Sequence, residues 1–140
     1  MEIKIKKLDP KAKLPVYAHP GDVGMDIFSI EYFNLEHGEQ HAFKTGIAME
    51  FEEGYAAIVK DKGGMANEQI HSAGGVFDAG YRGEYMIHLI NHGKNDYPIK
   101  AGQKIAQIVI FQIIIPTFVE TDELSDSARG KGRFGSTGKF

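Results

Sequence analysis

The chain has 140 residues, 42% of them hydrophobic and 25% charged, and a formal charge of -3, which describes one ordinary globular domain with enough apolar mass for a real core. The acidic balance excludes a general nucleic-acid binder, whose phosphate contacts need a basic excess, and the absence of cysteine excludes disulfides, zinc-thiolate sites and cysteine nucleophiles. The longest apolar run, Ile105 to Ile115, is interrupted by Gln107 and Gln112 and is too short for a membrane span.

From the N-terminus, MEIKIKK alternates Ile3 and Ile5 with Lys4 and Lys6, the period of a half-buried strand and not of a secretory signal. The expected location is the reducing cytoplasm. Further strands are expected at His41 to Lys44, Ile47 to Phe51, Tyr55 to Lys60 and Glu84 to Asn91, separated by short Gly, Asn, Asp and Pro clusters. Lys104 to Ile115 is apolar on both alternating faces, which predicts a central strand buried on both sides. A single short helix is expected from about Met65 to His71, just after Gly63-Gly64. The pattern is that of an all-β fold, a compact barrel or jelly roll with one helix, spanning residues 1–122. Residues 123–140 read as a mobile arm. Its last twelve residues carry Arg129, Lys131, Arg133, Lys139 and four glycines without a carboxylate, a composition suited to an anion.

Three glycine-rich segments carry polar groups. Gly21 to Ile27 sets Asp22 between two glycines and Asp26 two residues after the second. Asp61 to Ala66 places Lys62 before a glycine pair where free amide N–H groups favour phosphate. Gly75 to Glu84 runs into a strand and reads as a hairpin with Asp78 and Tyr81 near its tip: a carboxylate able to activate water and a ring able to pack on a sugar. Each segment taken alone reads first as a tight turn or helix cap. No Walker-type phosphate loop is present. Gln107 is a polar amide on the strand face of Ile105, Val109 and Phe111. Unpaired, it would cost roughly 1–3 kcal/mol, so it needs either a backbone partner or a ligand.

In order, GDVGMDI, KGGMA, GGVFDAGYRGEY, GQKIAQIVI and ARGKGRFGSTG resemble the five motifs of the trimeric dUTP diphosphatases, from about residue 14 to the C-terminus. The resemblance implies a β-clip fold and hydrolysis of dUTP to dUMP and pyrophosphate, which clears dUTP from the nucleotide pool and supplies the dTMP precursor. It implies that Asp78 is the general base for water attack at the α-phosphorus, with Asp26 supporting the water network. Tyr81 would pack under the deoxyribose, and backbone at Gly75, Val76, Phe77, Asp78 and Met86 would read uracil. Lys62, Gly63, Gly64 and Gln107 would contact phosphate and Arg129 the γ-phosphate. Phe134 would stack on the base, with Gly135, Ser136 and Thr137 closing over the triphosphate. Mg2+ would ride on the triphosphate and waters without a direct protein ligand. The same resemblance implies a homotrimer with shared sites, and no nucleic-acid or membrane partner.

The second motif departs from the family's arginine-serine-glycine. Lys62 replaces a planar fork with a point charge, and Gly63 lacks the serine hydroxyl, with Ser72 the nearest candidate substitute. Two other readings compete. A dCTP deaminase needs an acid on the strand after the hairpin, yet Met86 to Asn91 holds none. A nucleotide-binding regulator would have no use for the retained Asp78.

Overall fold

The computed structural model describes residues 1–133. Phe134, Gly135, Ser136 and Thr137 lie outside the described residues. Four small antiparallel sheets surround one core. A four-stranded sheet runs in the order β2 (Gly24–Phe28), β11 (Lys104–Gln112), β6 (Tyr55–Lys60) and β8 (Val76–Asp78). A three-stranded sheet runs β4 (Gln40–Phe43), β9 (Ile87–Asn91) and β7 (Ile70–Ser72). Two pairs complete the fold, β1 (Lys4–Lys7) with β5 (Ile47–Glu50), and β3 (Phe33–Leu35) with β10 (Tyr97–Ile99). The class is all-β, with one five-residue helix, α1 (Gly63–Asn67), among the described residues.

Alternation decides which side chains enter the core. Tyr85, Ile87 and Leu89 are buried while His88 faces out, and the core collects Ile27, Leu35, Phe43, Met49, Ile70, Ile99 and Ile108 from all four sheets. Each such apolar side chain contributes roughly 1.5–3 kcal/mol by leaving water. Two of the buried polar side chains are bonded to backbone: the Asn91 amide donates to the carbonyls of Leu35 and Asn95, both at 2.9 Å, and Thr45 Oγ1 donates to the Tyr85 carbonyl at 2.6 Å. The buried Tyr85 hydroxyl has no partner among the described residues.

Three sequence expectations are corrected. The helix covers Gly63–Asn67 instead of Met65 to His71, because Gln69 turns to φ 62° and Ile70–Ser72 leaves as a strand paired with β9. The last long strand stops at Gln112, where its ladder with β6 ends opposite Tyr55; Ile114 and Ile115 beyond it are 92% and 77% exposed. Burial on both sides holds only for its first half, at Ile105, Ala106 and Ile108. Finally, Gly75 to Glu84 is not a two-stranded hairpin. Val76–Asp78 pairs with β6 and Ile87–Asn91 pairs with β4 and β7, so the chain between Asp78 and Ile87 is a loop joining two sheets. Period-two pattern is shared by both arrangements and does not name a strand's partner.

Gly75 is where this crossing is tightest. Its φ is +110°, its carbonyl accepts from Val59 N–H at 2.8 Å, and a Cβ there would stand 2.5 Å from Val59 Cβ. Gly74, at φ +83°, has nothing within 4 Å of such a Cβ. Gly75→Ala is expected to destabilise the fold by about 3 kcal/mol, through overpacking and backbone strain together. Gly74→Ala is expected to cost about 1 kcal/mol, through strain alone. Urea unfolding of both variants at one protein concentration measures the difference.

Candidate active site

The first cleft is built around a buried acid. Asp26 lies on β2, 5% exposed, with Lys62 Nζ donating to Oδ1 at 2.8 Å and Lys104 Nζ 2.6 Å from Oδ2. A register shift between Lys104 and Ala106 interrupts the β11–β2 ladder, as a bulge does when it re-aims a side chain. Burial pushes the Asp26 carboxyl up, but the ammonium groups of Lys104 and Lys62 outweigh it and hold the carboxyl below its usual 3.8. Gln107 stands opposite Asp26 in the ladder. Its amide donates to the Asp61 carbonyl at 2.9 Å, and its Oε1 lies 2.0 Å from where a Gly24 Cβ would be, so a side chain at position 24 would displace the Gln107 amide from this place.

The turn before α1 is pinned from below. Asp61 accepts from Ser72 N–H and Ser72 Oγ, both at 2.6 Å, and from His71 Nδ1 at 2.8 Å. Burial raises its carboxyl; the Ser72 and His71 hydrogen bonds more than offset this and lower it. The Ser72 proton is thereby committed to Asp61. Lys62 caps the helix in extended backbone, φ -83° and ψ 126°, and makes no side-chain cap bond. Its carbonyl accepts from Met65 and Ala66, both at 2.9 Å, while the amides of Gly63 and Gly64 have no backbone or side-chain partner among the described residues. A Cβ at Gly63 or Gly64 would meet nothing within 4 Å. Ala18, Asp22, Val23, Gly24, Asp26, Lys62 and Gln107 line this cleft. Asp22 is chiefly a turn former, accepting from His19 N–H at 2.8 Å.

The second cleft lies beside β8, lined by Gly75, Val76, Phe77, Tyr81, Glu84, Met86 and His88. An aromatic stack supports it: Phe77 lies on Tyr85 at 4.0 Å between ring centres, and Tyr81 sits 5.7 Å from Phe77. Tyr81 is fixed by its hydroxyl, which donates to the Glu84 carbonyl at 3.0 Å, and by its N–H, which donates to the Asp78 carbonyl at 3.0 Å. Asp78 therefore opens the turn that carries Tyr81, with its own carboxylate exposed. Burial pushes the Tyr85 hydroxyl up to about 12, against the pull of Arg82, so it stays neutral in the stack.

Within one chain, Asp26, Lys62, Gly63, Gly64 and Gln107 come together, and so do Gly75, Val76, Phe77, Asp78, Tyr81 and Met86. The two groups do not meet. Asp26 and Asp78 lie on β2 and β8, the opposite edges of one sheet. Strand spacing and rise separate them by about 20 Å. Arg129 is exposed, with Nε donating to the Gly132 carbonyl at 3.0 Å. Sequence reading missed Lys104 and Asp61. Lys104 stands at the head of the GQKIAQIVI segment, but its reach to Asp26 depends on the bulge. Among the described residues no group of three or more His, Asp or Glu side chains is placed to hold a metal ion, and no helix is long and apolar enough to cross a membrane.

A cation-lined cleft with free amides and a second, aromatic-walled cleft, both on small antiparallel sheets, define an all-β nucleotide-handling protein that has no P-loop. The family model for dUTPase matches residues 10–138. The chain is 45% identical to the deoxyuridine 5'-triphosphate nucleotidohydrolase of Clostridioides difficile over 139 residues, 97% of each chain, and 46% identical to that of Thermobifida fusca over 99% of this chain and 79% of the relative. A solved structure of the Staphylococcus bacteriophage 80alpha dUTPase with dUpNHpp superposes with a TM-score of 0.92, at 30% identity and 98% coverage of both chains. The dUTPase of phage phi11 of S. aureus, described with a structural Mg(II) ion, gives 0.83 at 26% identity over 90% of this chain and 100% of the relative. The chain belongs to the dUTPase family.

Asp26 links the cleft to stability. Its lowered carboxyl contributes stability that is present above the ordinary 3.8 and lost as pH falls through the lower value of the folded state. Asp26→Asn is expected to cost about 3 kcal/mol at pH 7, since two ammoniums lose their counter-charge. It is also expected to remove the part of the acid limb of stability that this carboxylate supplies. Denaturant unfolding from pH 7 to pH 3 checks both effects.

Proposed function

We propose that the protein hydrolyses dUTP to dUMP and pyrophosphate. The observation that carries this reading is the pairing, in one family fold, of an amide-and-lysine cleft suited to phosphates with an aromatic cleft whose lining residues Phe77 and Tyr81 flank the exposed Asp78. Asp78 takes a proton from the attacking water as its oxygen bonds to the α-phosphorus. The bridging oxygen between the α- and β-phosphorus departs with pyrophosphate. Tyr81, clamped at both its hydroxyl and its amide, presents its ring to the deoxyribose and leaves no space for a 2′-hydroxyl. Backbone groups of Gly75 to Asp78 and of Met86 match the acceptor–donor–acceptor edge of uracil, which cytosine does not offer. Lys62, the free amides of Gly63 and Gly64, and the Gln107 side chain hold the phosphates.

The same reading makes the protein a homotrimer. About 20 Å between Asp26 and Asp78 is more than one deoxynucleoside triphosphate can bring into a single reacting centre, so each site draws its two clefts from different copies. Ile113, Ile114, Ile115, Phe118, Val119 and Leu124, 38% to 92% exposed, form the apolar surface that assembly would cover. Residues 123–140 act as the arm, with Arg129 at the γ-phosphate, Phe134 on the base and Gly135, Ser136 and Thr137 over the phosphates. Mg2+ fits on the triphosphate rather than on the chain: both Asp26 oxygens are occupied by ammonium groups, leaving only outer-sphere contact. When bound it offsets phosphate charge.

Pyrophosphate release from dUTP, beside dCTP, dTTP and UTP, is expected to be selective for dUTP, and Asp78→Asn is expected to lower it at least 100-fold. dUTP binding without turnover in the native chain would instead indicate a nucleotide-sensing regulator. Position 63 is open and not at positive φ. Gly63→Ser should therefore restore a phosphate donor and raise kcat tenfold or more; unchanged turnover would count against a rate deficit from the missing hydroxyl. Light scattering should give a mass near three times the 15.5 kDa chain.

A further inference from the structure

We propose that the His88 side chain is a specificity residue, offering a hydrogen-bond donor that accepts a pyrimidine bearing a carbonyl at ring position 4 and disfavours one bearing an amino group there. This rests on the nucleotide reading of the second cleft. Period-two alternation puts Glu84, Met86 and His88 on the cleft side of the segment leading into β9, because Tyr85, Ile87 and Leu89 are 0%, 1% and 2% exposed on the core side. Of the polar side chains lining the cleft, two are already engaged. The Tyr81 hydroxyl donates to the Glu84 carbonyl, and Glu84 Oε1 accepts from Gly46 N–H at 2.8 Å. His88 differs. Its Nδ1 faces Gln40 Nε2 at 3.4 Å, and its Nε2 has no partner among the described residues.

Chemistry then fixes the sign. An amide nitrogen only donates, so Nδ1 facing Gln40 Nε2 serves as the acceptor, and the ring proton sits on Nε2. Nε2 is thus an N–H donor. In the imidazolium form it is still an N–H donor. The cleft wall therefore meets a carbonyl oxygen with a hydrogen bond, and meets an exocyclic amino group with two opposed donors. Sites that hydrogen-bond a substrate group discriminate far better than apolar pockets of the same shape. Backbone groups read the base edge through its main chain contacts, and His88 adds a side-chain element that substitution can remove without disturbing the loop.

The test compares native, His88→Leu and His88→Gln proteins for kcat/KM on dUTP and dCTP, and for equilibrium binding of dUMP and dCMP. The exposed position should leave the unfolding midpoint unchanged. In His88→Leu the dUTP-to-dCTP ratio is expected to fall at least tenfold, through a higher KM for dUTP at near-constant kcat, with dUMP binding weakened in parallel. His88→Gln, which keeps an N–H donor, is expected to retain more of the ratio than His88→Leu. An unchanged ratio and unchanged dUMP affinity in His88→Leu overturn the proposal. A native chain inactive on dUTP would overturn the hydrolase reading, and the dUMP and dCMP affinities would still decide the role of His88.

Discussion

Strand β11 hydrogen-bonds to β2 along one edge and to β6 along the other, and the placement of the first cleft follows from that double pairing. The ladder sets Gln107 between Asp26 and Lys60, so two segments more than thirty residues apart are brought to one surface. The bulge near the start of β11 turns Lys104 onto Asp26, and the end of β6 delivers Asp61 and Lys62 to the same place. A uniform ladder would keep Lys104 in line with its neighbours. The irregularity is thus part of the site, as bulges commonly are.

Asp26 concentrates the electrostatics. A carboxylate with little access to water would be costly alone, and the two ammonium groups on it remove that cost. The result is a fixed cluster with one net positive charge, beside two amides without partners among the described residues and a glutamine already oriented by a backbone bond. Little would have to reorganise around an anion there, which is the condition under which donors act most strongly. Asp61 serves the same end one residue earlier, holding the loop from Ser72 and His71 so that Lys62 and the glycine pair are presented together.

The second cleft follows a different logic. It depends on packing: Phe77 on Tyr85, Tyr81 beside them, and Gly75 close against Val59 in a backbone conformation that a side chain would obstruct. Charge gathers in the first cleft and apolar surface in the second, at opposite edges of one sheet. Their separation within a chain, together with the exposed apolar side chains after Gln112, is what the proposed sharing of each site between copies rests on.

Much of this was legible in the sequence. Alternation located β1, β5, β6 and the body of β11, because a half-buried strand imposes period two on its residues wherever it pairs. The glycine-rich segments marked both clefts, because close approach and a positive φ demand glycine at Gly75 and Gly24 leaves room for the Gln107 amide. The helix was misplaced, since Gln69 carries no compositional sign of its positive φ and the strand pairing of Ile70–Ser72 is made with a distant segment. Sequence by itself determined the all-β class, the motifs of the dUTPase family and the departure at Gly63. Only the tertiary structure decided that Asp26 is shared by Lys62 and Lys104, that the loop at Asp78 joins two sheets, and that His88 faces the aromatic cleft. Those facts depend on which strand pairs with which and in what register, and local residue preference is blind to both.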